Sequence, residues 1–291
     1  MDTLKQKSES PRHETATIPD LRIVPTRLLV AHELHDKQRS EPLIVQLRAE
    51  GLLKNPPVVA ASQPSTDRYI VLDGANRVLA LDELGIQHTL VQVVAYESDS
   101  VELLTWYHVV SHVDPKHLQD RFTHVPGLEI ANSEFLHAKA ELSRRAILAY
   151  CLFADGRVIT LSGGGLDIET RTELLHAIVN VYIHDGRLDR TNTDHLDELH
   201  TAYPDMTAAI IFPHYAPVEV MDLAQSGLKV PPGLTRHIIH GRALRLNYPL
   251  AKLSVDIPLE EKNRELRDWV QNCFKVRKVR YYAESTYLFD E

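Results

Sequence analysis

The stretch Tyr69-Ile-Val-Leu-Asp-Gly-Ala-Asn-Arg-Val-Leu-Ala-Leu-Asp-Glu-Leu-Gly85 constrains this chain more than any other. Tyr69 to Leu72 is an apolar, β-rich run of strand length, and Val78, Leu81 and Leu84 then recur at helical spacing until Gly85 supplies a stop. A strand therefore feeds a helix through Asp73-Gly74-Ala75-Asn76. Small residues let an incoming group approach the backbone there. The unpaired amides of a helix start carry partial positive charge, so a phosphate is the natural guest of Gly74, Ala75, Asn76 and Arg77. The Arg77 side chain adds a forked donor for phosphate oxygens. By itself, an Asp-Gly between strand and helix is also an ordinary turn.

The same alternation continues on both sides. Leu21 to Pro25 reads as a short strand, and Leu28 to Ala31 is apolar before the charged pair His32-Glu33. Ser40 is a candidate N-cap for a helix carrying Leu43, Ile44 and Leu47, with Gly51 at its end. Pro56-Pro57 forbids helix and sends Val58 to Ala61 extended. Thr89 to Tyr96 is another buried strand, and Val101 to Val113 reads as a helix carrying Trp106, His108 and His112. Beyond a weakly patterned link, Lys139 to Phe153 is ambiguous, but Asp155-Gly156 looks like a hairpin turn and favours strands on both sides. Glu169 to His184 and Leu259 to Phe274 have helical spacing, Ala208 to Phe212 is a buried strand, and Pro217 to Ala224 is a short helix closed by Gly227. Leu234 to Leu246 alternates like a strand pair, and Tyr281 to Phe289 is a last strand candidate. The chain thus reads as a mixed α/β (α+β) protein: a polar tail over 1–19, one domain over 20–128 and a second over 129–291.

Composition narrows the function classes. With 291 residues the chain is long enough for two cores, and its formal net charge of −8 gives a field that repels polyanions, which argues against nucleic acid as a partner. Cys151 and Cys273 are distant and form no Cys-x-x-Cys, which fits a reducing cytosol and not a thiol-built zinc site. No run reaches the ~20 apolar residues of a membrane span, and the N-terminus lacks signal-peptide order, so a cytoplasmic protein without a membrane partner is expected.

Two carboxylates stand where chemistry is expected. Glu33 and Asp73 each end an apolar run, and open α/β sheets place ligands beyond strand C-termini, so the two can share a site: one as general base, the other holding a metal or orienting the attacking group. Glu33 is equally compatible with a simple cap or ion pair. Thr235-Arg236-His237, stiffened by Pro231-Pro232, offers a hydroxyl, a fixed cation and a titratable ring suited to gripping a carboxylate or phosphate, though an exposed strand with ordinary polar residues fits as well. Ser162-Gly-Gly-Gly165 lacks the Gly-Lys-Ser/Thr ending of a Walker loop and reads as a turn. The basic cluster Lys275, Arg277, Lys278, Arg280 reads as a solvated helix end.

Three ordered blocks, Leu28 to Glu33, Leu47 to Val59 and Val71 to Gly85, resemble the ParB/sulfiredoxin-like superfamily over residues 20 to 115. Within it, the Asp-Gly-x-x-Arg form, the His-Glu block, Thr105-Trp106 and Pro231-Pro-x-x-Thr-Arg-His237 look most like the free L-serine kinases. The resemblance implies a ParB/sulfiredoxin-like N-terminal domain, a mixed α/β C-terminal domain, and phosphoryl transfer from ATP or ADP to L-serine with magnesium. It implies Glu33 as the base and Asp73 at the same centre ordering nucleophile or Mg2+. Gly74, Ala75, Asn76 and Arg77 would hold the phosphate, and Trp106, Thr235, Arg236 and His237 would form the amino-acid pocket. The turn departs from the kinase pattern at Ala75-Asn76, where two histidines are frequent, and Gly233 stands where a basic residue is expected. A ParB-like DNA-binding regulator is the competing class; such proteins usually follow this fold with helix-turn-helix units, whereas residues 138 to 165 read as strands and turns. Sulfiredoxin-type repair needs a cysteine where this chain has Ala75.

Overall fold

The computed structural model describes residues 18–34, 37–62, 67–165 and 167–282. In chain order it runs β1 (Asp20–Pro25), a 3-10 turn (Thr26–Leu28), β2 (Leu29–Ala31), α1 (Lys37–Glu50), β3 (Leu52–Leu53), β4 (Val58–Ala61), β5 (Tyr69–Asp73), α2 (Ala75–Glu83) and β6 (His88–Val94). It continues with β7 (Val101–Thr105), β8 (Tyr107–Ser111), α3 (Pro115–Thr123), β9 (Leu128–Ser133), α4 (Phe135–Ser143), β10 (Ala149–Phe153), β11 (Val158–Gly163), α5 (Ile168–Asn180), β12 (Arg187–Thr191), α6 (Leu196–Ala202) and β13 (Met206–Ile211). The last elements are α7 (Pro217–Ser226), β14 (Thr235–Ile239), β15 (Tyr248–Pro249), α8 (Leu250–Ser254) and α9 (Leu259–Lys275).

Two mixed α/β layers result, as the alternating pattern requires. The first sheet has the order β1-β6-β4-β5-β2, and the second β12-β8-β13-β10-β11-β9. Strand β5 is apolar from Tyr69 to Leu72, and Ile70, Val71 and Leu72 are buried because both of its faces are covered. Its Val71 packs with Val24, Val59 and Val91 on one side, while Ile70 and Leu72 join the large core that includes Val110, Leu148 and Phe212 beside the second sheet. The two sheets therefore bury apolar surface against a common interior, which fixes the rim of one relative to the other.

Several sequence expectations are corrected. Val101 to Val113 is not a helix but two strands, β7 and β8, because Val, Thr, Tyr and Val favour the pleated surface and Val109 and Val110 are wholly buried between β12 and β13. His108 and His112 consequently do not stand one helical turn apart. The hairpin around Gly156 (φ 85°) forms, pairing β10 with β11, but residues 135–143 before it are the helix α4 rather than strand. Residues 138 to 165 are thus not strands and turns alone. Leu234 to Leu246 yields one strand, β14, whose partner is the distant β7; positive φ at Gly241, Arg245 and Asn247 breaks the run after Ile239. Helix α1 begins at Lys37, so residue 40 lies inside it. The tail expected over 1–19 lies almost wholly outside the described residues, and so does most of the Tyr281 to Phe289 strand candidate.

Helix α9 returns to the first sheet. Leu266 of α9 is fully buried with Ile23, Leu81 and Leu90, and Asn263 clamps the backbone of edge strand β1: its amide donates to Ile23 O at 2.8 Å and its carbonyl accepts from Ile23 N at 2.9 Å. Asn263→Ala orphans both groups and is expected to cost about 1–3 kcal/mol, read as a lower midpoint in thermal or urea unfolding with the slope unchanged. Wild-type stability in that variant would mean that water replaces the clamp.

Candidate functional site

Strands β2 and β5 run parallel, with Leu29, Val30 and Ala31 opposite Tyr69, Ile70 and Val71. Carried two residues further, that register brings Glu33 to the level of Asp73, at the C-terminal ends of neighbouring strands. Both carboxylates line one cleft of about 550 Å³, together with Gly74, Ala75, Asn76, Arg77, the α1 residues Leu43 and Gln46, Asn55, Arg190, Pro232 and Arg242.

Gly74 caps α2 in a left-handed conformation (φ 89°, ψ 27°) that a side chain would strain, and a Cβ there would meet the Arg77 guanidinium at 2.7 Å. The amides of Arg77 and Val78 turn back to Gly74 O at 2.9 and 3.0 Å, so the orphan donors of this helix start come from the residues before them. The Arg77 side chain lines the cleft with its donors already engaged. It donates to Asn55 O at 2.8 Å and to Asp73 Oδ2 at 2.5 Å, and Arg242 donates to the same carboxylate oxygen. Burial pulls the Arg77 pKa down, with Asp73 opposing and Arg242 reinforcing that shift. Arg77, Arg190 and Arg242 face Glu33 and Asp73, three cations to two carboxylates, so the cleft favours anions although the whole chain carries −8.

Glu33 is held from the other side. The chain after β2 bridges to Val230, whose amide donates to His32 O at 2.8 Å, and Glu33 Oε2 accepts from Gly233 N at 3.2 Å and contacts Thr235 Oγ1 at 3.3 Å. His32 Nδ1 lies 2.5 Å from Val71 O, which can only accept, so Nδ1 carries the proton and Nε2 is free to accept from Thr235 Oγ1 at 2.7 Å. Thr235 has one hydroxyl proton and two acceptors before it. The hydroxyl therefore serves His32 Nε2 or Glu33 Oε2 at any one time, and ties the two side chains together.

His237 stands edge-on to His32, with ring centroids 5.2 Å apart, and bonds Tyr96 Oη at 2.7 Å. Burial, with a smaller push from His32 and against the Leu72 carbonyl, lowers its pKa to about 3. His108, at the base of the site, is lowered to about 4 by burial; it donates to Gly233 O at 3.2 Å and bonds Tyr182 Oη at 2.9 Å. Thr235 and His237 share one face of β14, as the strand period demands, and Arg236 leaves by the other, where its guanidinium lies 4.3 Å from the Trp106 ring. Trp106 sits at the junction of β7 and β8, with its amide bonded to Leu234 O at 2.8 Å. The structure thus gathers Glu33, Asp73, Gly74, Ala75, Asn76 and Arg77 at the cleft, sets Thr235 and His237 behind Glu33, and stacks Trp106 with Arg236 apart from them.

Sequence reasoning missed Arg190, Arg242 and His32. Arg242 lay in the run read as a strand pair, and Arg190 in a segment that carries no motif; His32 was visible only as the neighbour of Glu33.

No protein-family model matches the chain. It is 25% identical over 276 residues to the ATP-dependent L-serine kinase SbnI of Staphylococcus aureus, covering 93% of this chain and 97% of the relative. It is 23% identical to the ADP-dependent L-serine kinase SerK of Thermococcus kodakarensis, covering 78% and 90%. Among solved structures, C-terminally truncated SbnI from Staphylococcus aureus superposes with a TM-score of 0.68 at 23% identity, covering 87% and 97%. A free serine kinase in complex with AMP gives 0.68 at 20% identity, covering 84% and 98%. The α+β fold is therefore shared with those structures over most of their length.

Both buried histidines are neutral in the folded protein at pH 7 and gain protons more readily when unfolded, where the ordinary value is 6.5. Their contribution is present above about pH 6.5 and is lost as pH falls toward 4, by at most about 1.4 kcal/mol per unit for each. Unfolding midpoints measured between pH 7 and 4.5 should fall with acidification, and His108→Gln should flatten that slope relative to wild type. An equal slope would show that His108 is charged in the fold.

Proposed function

We propose that the protein is a kinase of free L-serine, transferring a phosphoryl group from ATP or ADP to the serine hydroxyl and giving O-phospho-L-serine. The observation that carries this reading is the single cleft that holds Glu33 opposite a glycine-capped helix start, in a chain similar over nine-tenths of its length to an L-serine kinase. The relatives include one ATP-dependent and one ADP-dependent enzyme, and both donors stay within the proposal.

In this mechanism the terminal phosphate rests on the orphan amides of Gly74, Ala75 and Asn76, where the helix dipole favours negative charge. Glu33 takes the proton of the serine hydroxyl as its oxygen attacks the terminal phosphorus; the bond to the nucleotide's bridging oxygen breaks, and ADP or AMP leaves. Phosphoryl transfer needs chiefly alignment and charge neutralisation, and Arg77 and Arg242, braced by Asp73, supply fixed positive charge at the cradle. Thr235 and His237 order the wall behind Glu33, while the Trp106–Arg236 stack, on the opposite face of β14, braces that strand from outside the pocket.

Magnesium belongs to the proposal. Among the described residues no cluster of three or more His, Cys, Asp or Glu side chains is arranged to hold a metal. Mg2+ usually takes one or two carboxylates and relies on substrate phosphates and water for the rest, so Asp73 beside the phosphate turn fits that mode. Bound there, the ion would neutralise charge on the transferring group. The N-terminal layer is proposed to be ParB/sulfiredoxin-like, and the compartment the cytosol; no helix among the described residues is long and apolar enough to cross a membrane.

Purified protein incubated with L-serine, Mg2+ and either ATP or ADP should form phosphoserine; no product with either donor rejects the assignment. Glu33→Gln should lower kcat by at least about a hundredfold, as expected for loss of a general base, while nucleotide Kd changes little. Undiminished turnover would remove Glu33 from the mechanism.

A further inference from the structure

We infer that Arg190, on strand β12 of the second sheet, is the anchor for the α-carboxylate of the acceptor amino acid. The inference rests on the serine-kinase reading and adds a specificity-determining residue to it. A free amino acid differs from a hydroxyl on a larger molecule by its carboxylate, so an enzyme selective for it needs a cation close to its base. The serine hydroxyl oxygen is only two bonds from the carbon that bears the carboxylate, and anchor and base must therefore be near neighbours.

Arg190 meets that requirement through Gly233. The Gly233 amide donates to Glu33 Oε2, and a Cβ built on the same residue would lie 2.2 Å from Arg190 Nη2 and 2.4 Å from its Cζ and Nε. The guanidinium thus occupies the space of the missing side chain, one residue's width from the carboxylate that Gly233 holds, and it faces the same cleft. Its backbone is fixed by pairing with His108 on β8 and by the Tyr203 hydroxyl, which donates to Arg190 O at 3.0 Å. The other cations are placed for different work. Arg77 and Arg242 are joined to Asp73 at the phosphate end, and Arg236 is stacked on Trp106 from the opposite face of β14. A forked guanidinium suits a planar carboxylate, and Gly233 is required because any side chain there would displace it.

The test compares L-serine with L-serinamide, which keeps the hydroxyl and amine but lacks the carboxylate. Wild type should favour serine, and Arg190→Ala should raise the serine KM about tenfold to a hundredfold, the range for loss of a charge-assisted contact. Its kcat/KM for serinamide and its nucleotide KM should stay within about twofold. Arg190→Lys, which keeps the charge, should recover part of the preference, and a circular-dichroism melt near that of wild type verifies the fold of each variant. Equal losses on serine and serinamide, or a collapse of discrimination in Arg236→Ala instead of Arg190→Ala, would overturn the assignment. Wild type inactive on serine with both donors would fail the kinase reading itself, and the anchor with it.

Discussion

The parallel pairing of β2 with β5 is the constraint on which the rest depends. Parallel neighbours end on the same rim, so the residues just beyond them are brought together without any contact between their side chains being needed first. Three register pairs, Leu29–Tyr69 to Ala31–Val71, are enough to carry Glu33 to the level of Asp73. A slip of one residue would turn every side chain of β2 to the other face and send Glu33 with it. The register is protected because β5 is buried on both faces, with Ile70 and Leu72 in the interior shared with the second sheet and Val71 among the valines of the first.

That shared interior also explains how residues from four distant segments meet. Loop Val230 to Leu234 lies between the sheets, its Val230 bridged to the chain after β2 and its Gly233 touching Glu33, His108 and Arg190 at once. Glycine at 233 is fixed by three demands: a φ of 76°, an amide turned to a carboxylate and a guanidinium over its α-carbon. The charge arrangement is similarly economical. Asp73 draws Arg77 and Arg242 to its end of the cleft, while burial keeps His108 and His237 neutral beside Glu33.

Much of the fold was legible locally. Tyr69 to Gly85 carries strand, turn and helix in one passage, and β5, α2 and their Gly74 junction follow it residue by residue. Helices α5, α7 and α9 follow their apolar spacing. The misread segments share a cause. Val101 to Val113 shows apolar residues at spacings compatible with helix and strand alike, and its strands exist because β14 and β13 come from more than ninety residues away to pair with them. The second strand expected after Ile239 failed for the converse reason, since β14 already had that remote partner.

What the sequence determined by itself is the local chemistry: an acidic residue at the end of each of two apolar runs, a glycine that permits a helix to start with its amides exposed, and a Thr-Arg-His triplet on an alternating strand. These follow from side-chain size, backbone freedom and periodicity within a few residues. Only the tertiary structure decided which cations face the cleft. Arg190 and Arg242 carry no motif and reach it through β12 and the turn after β14, while Arg236, the cation the triplet advertises, is turned to Trp106. The reason is physical: strand alternation fixes which face a side chain takes, but the neighbours that make one face a binding site are chosen by pairing and by the common core, and neither is written within the segment itself.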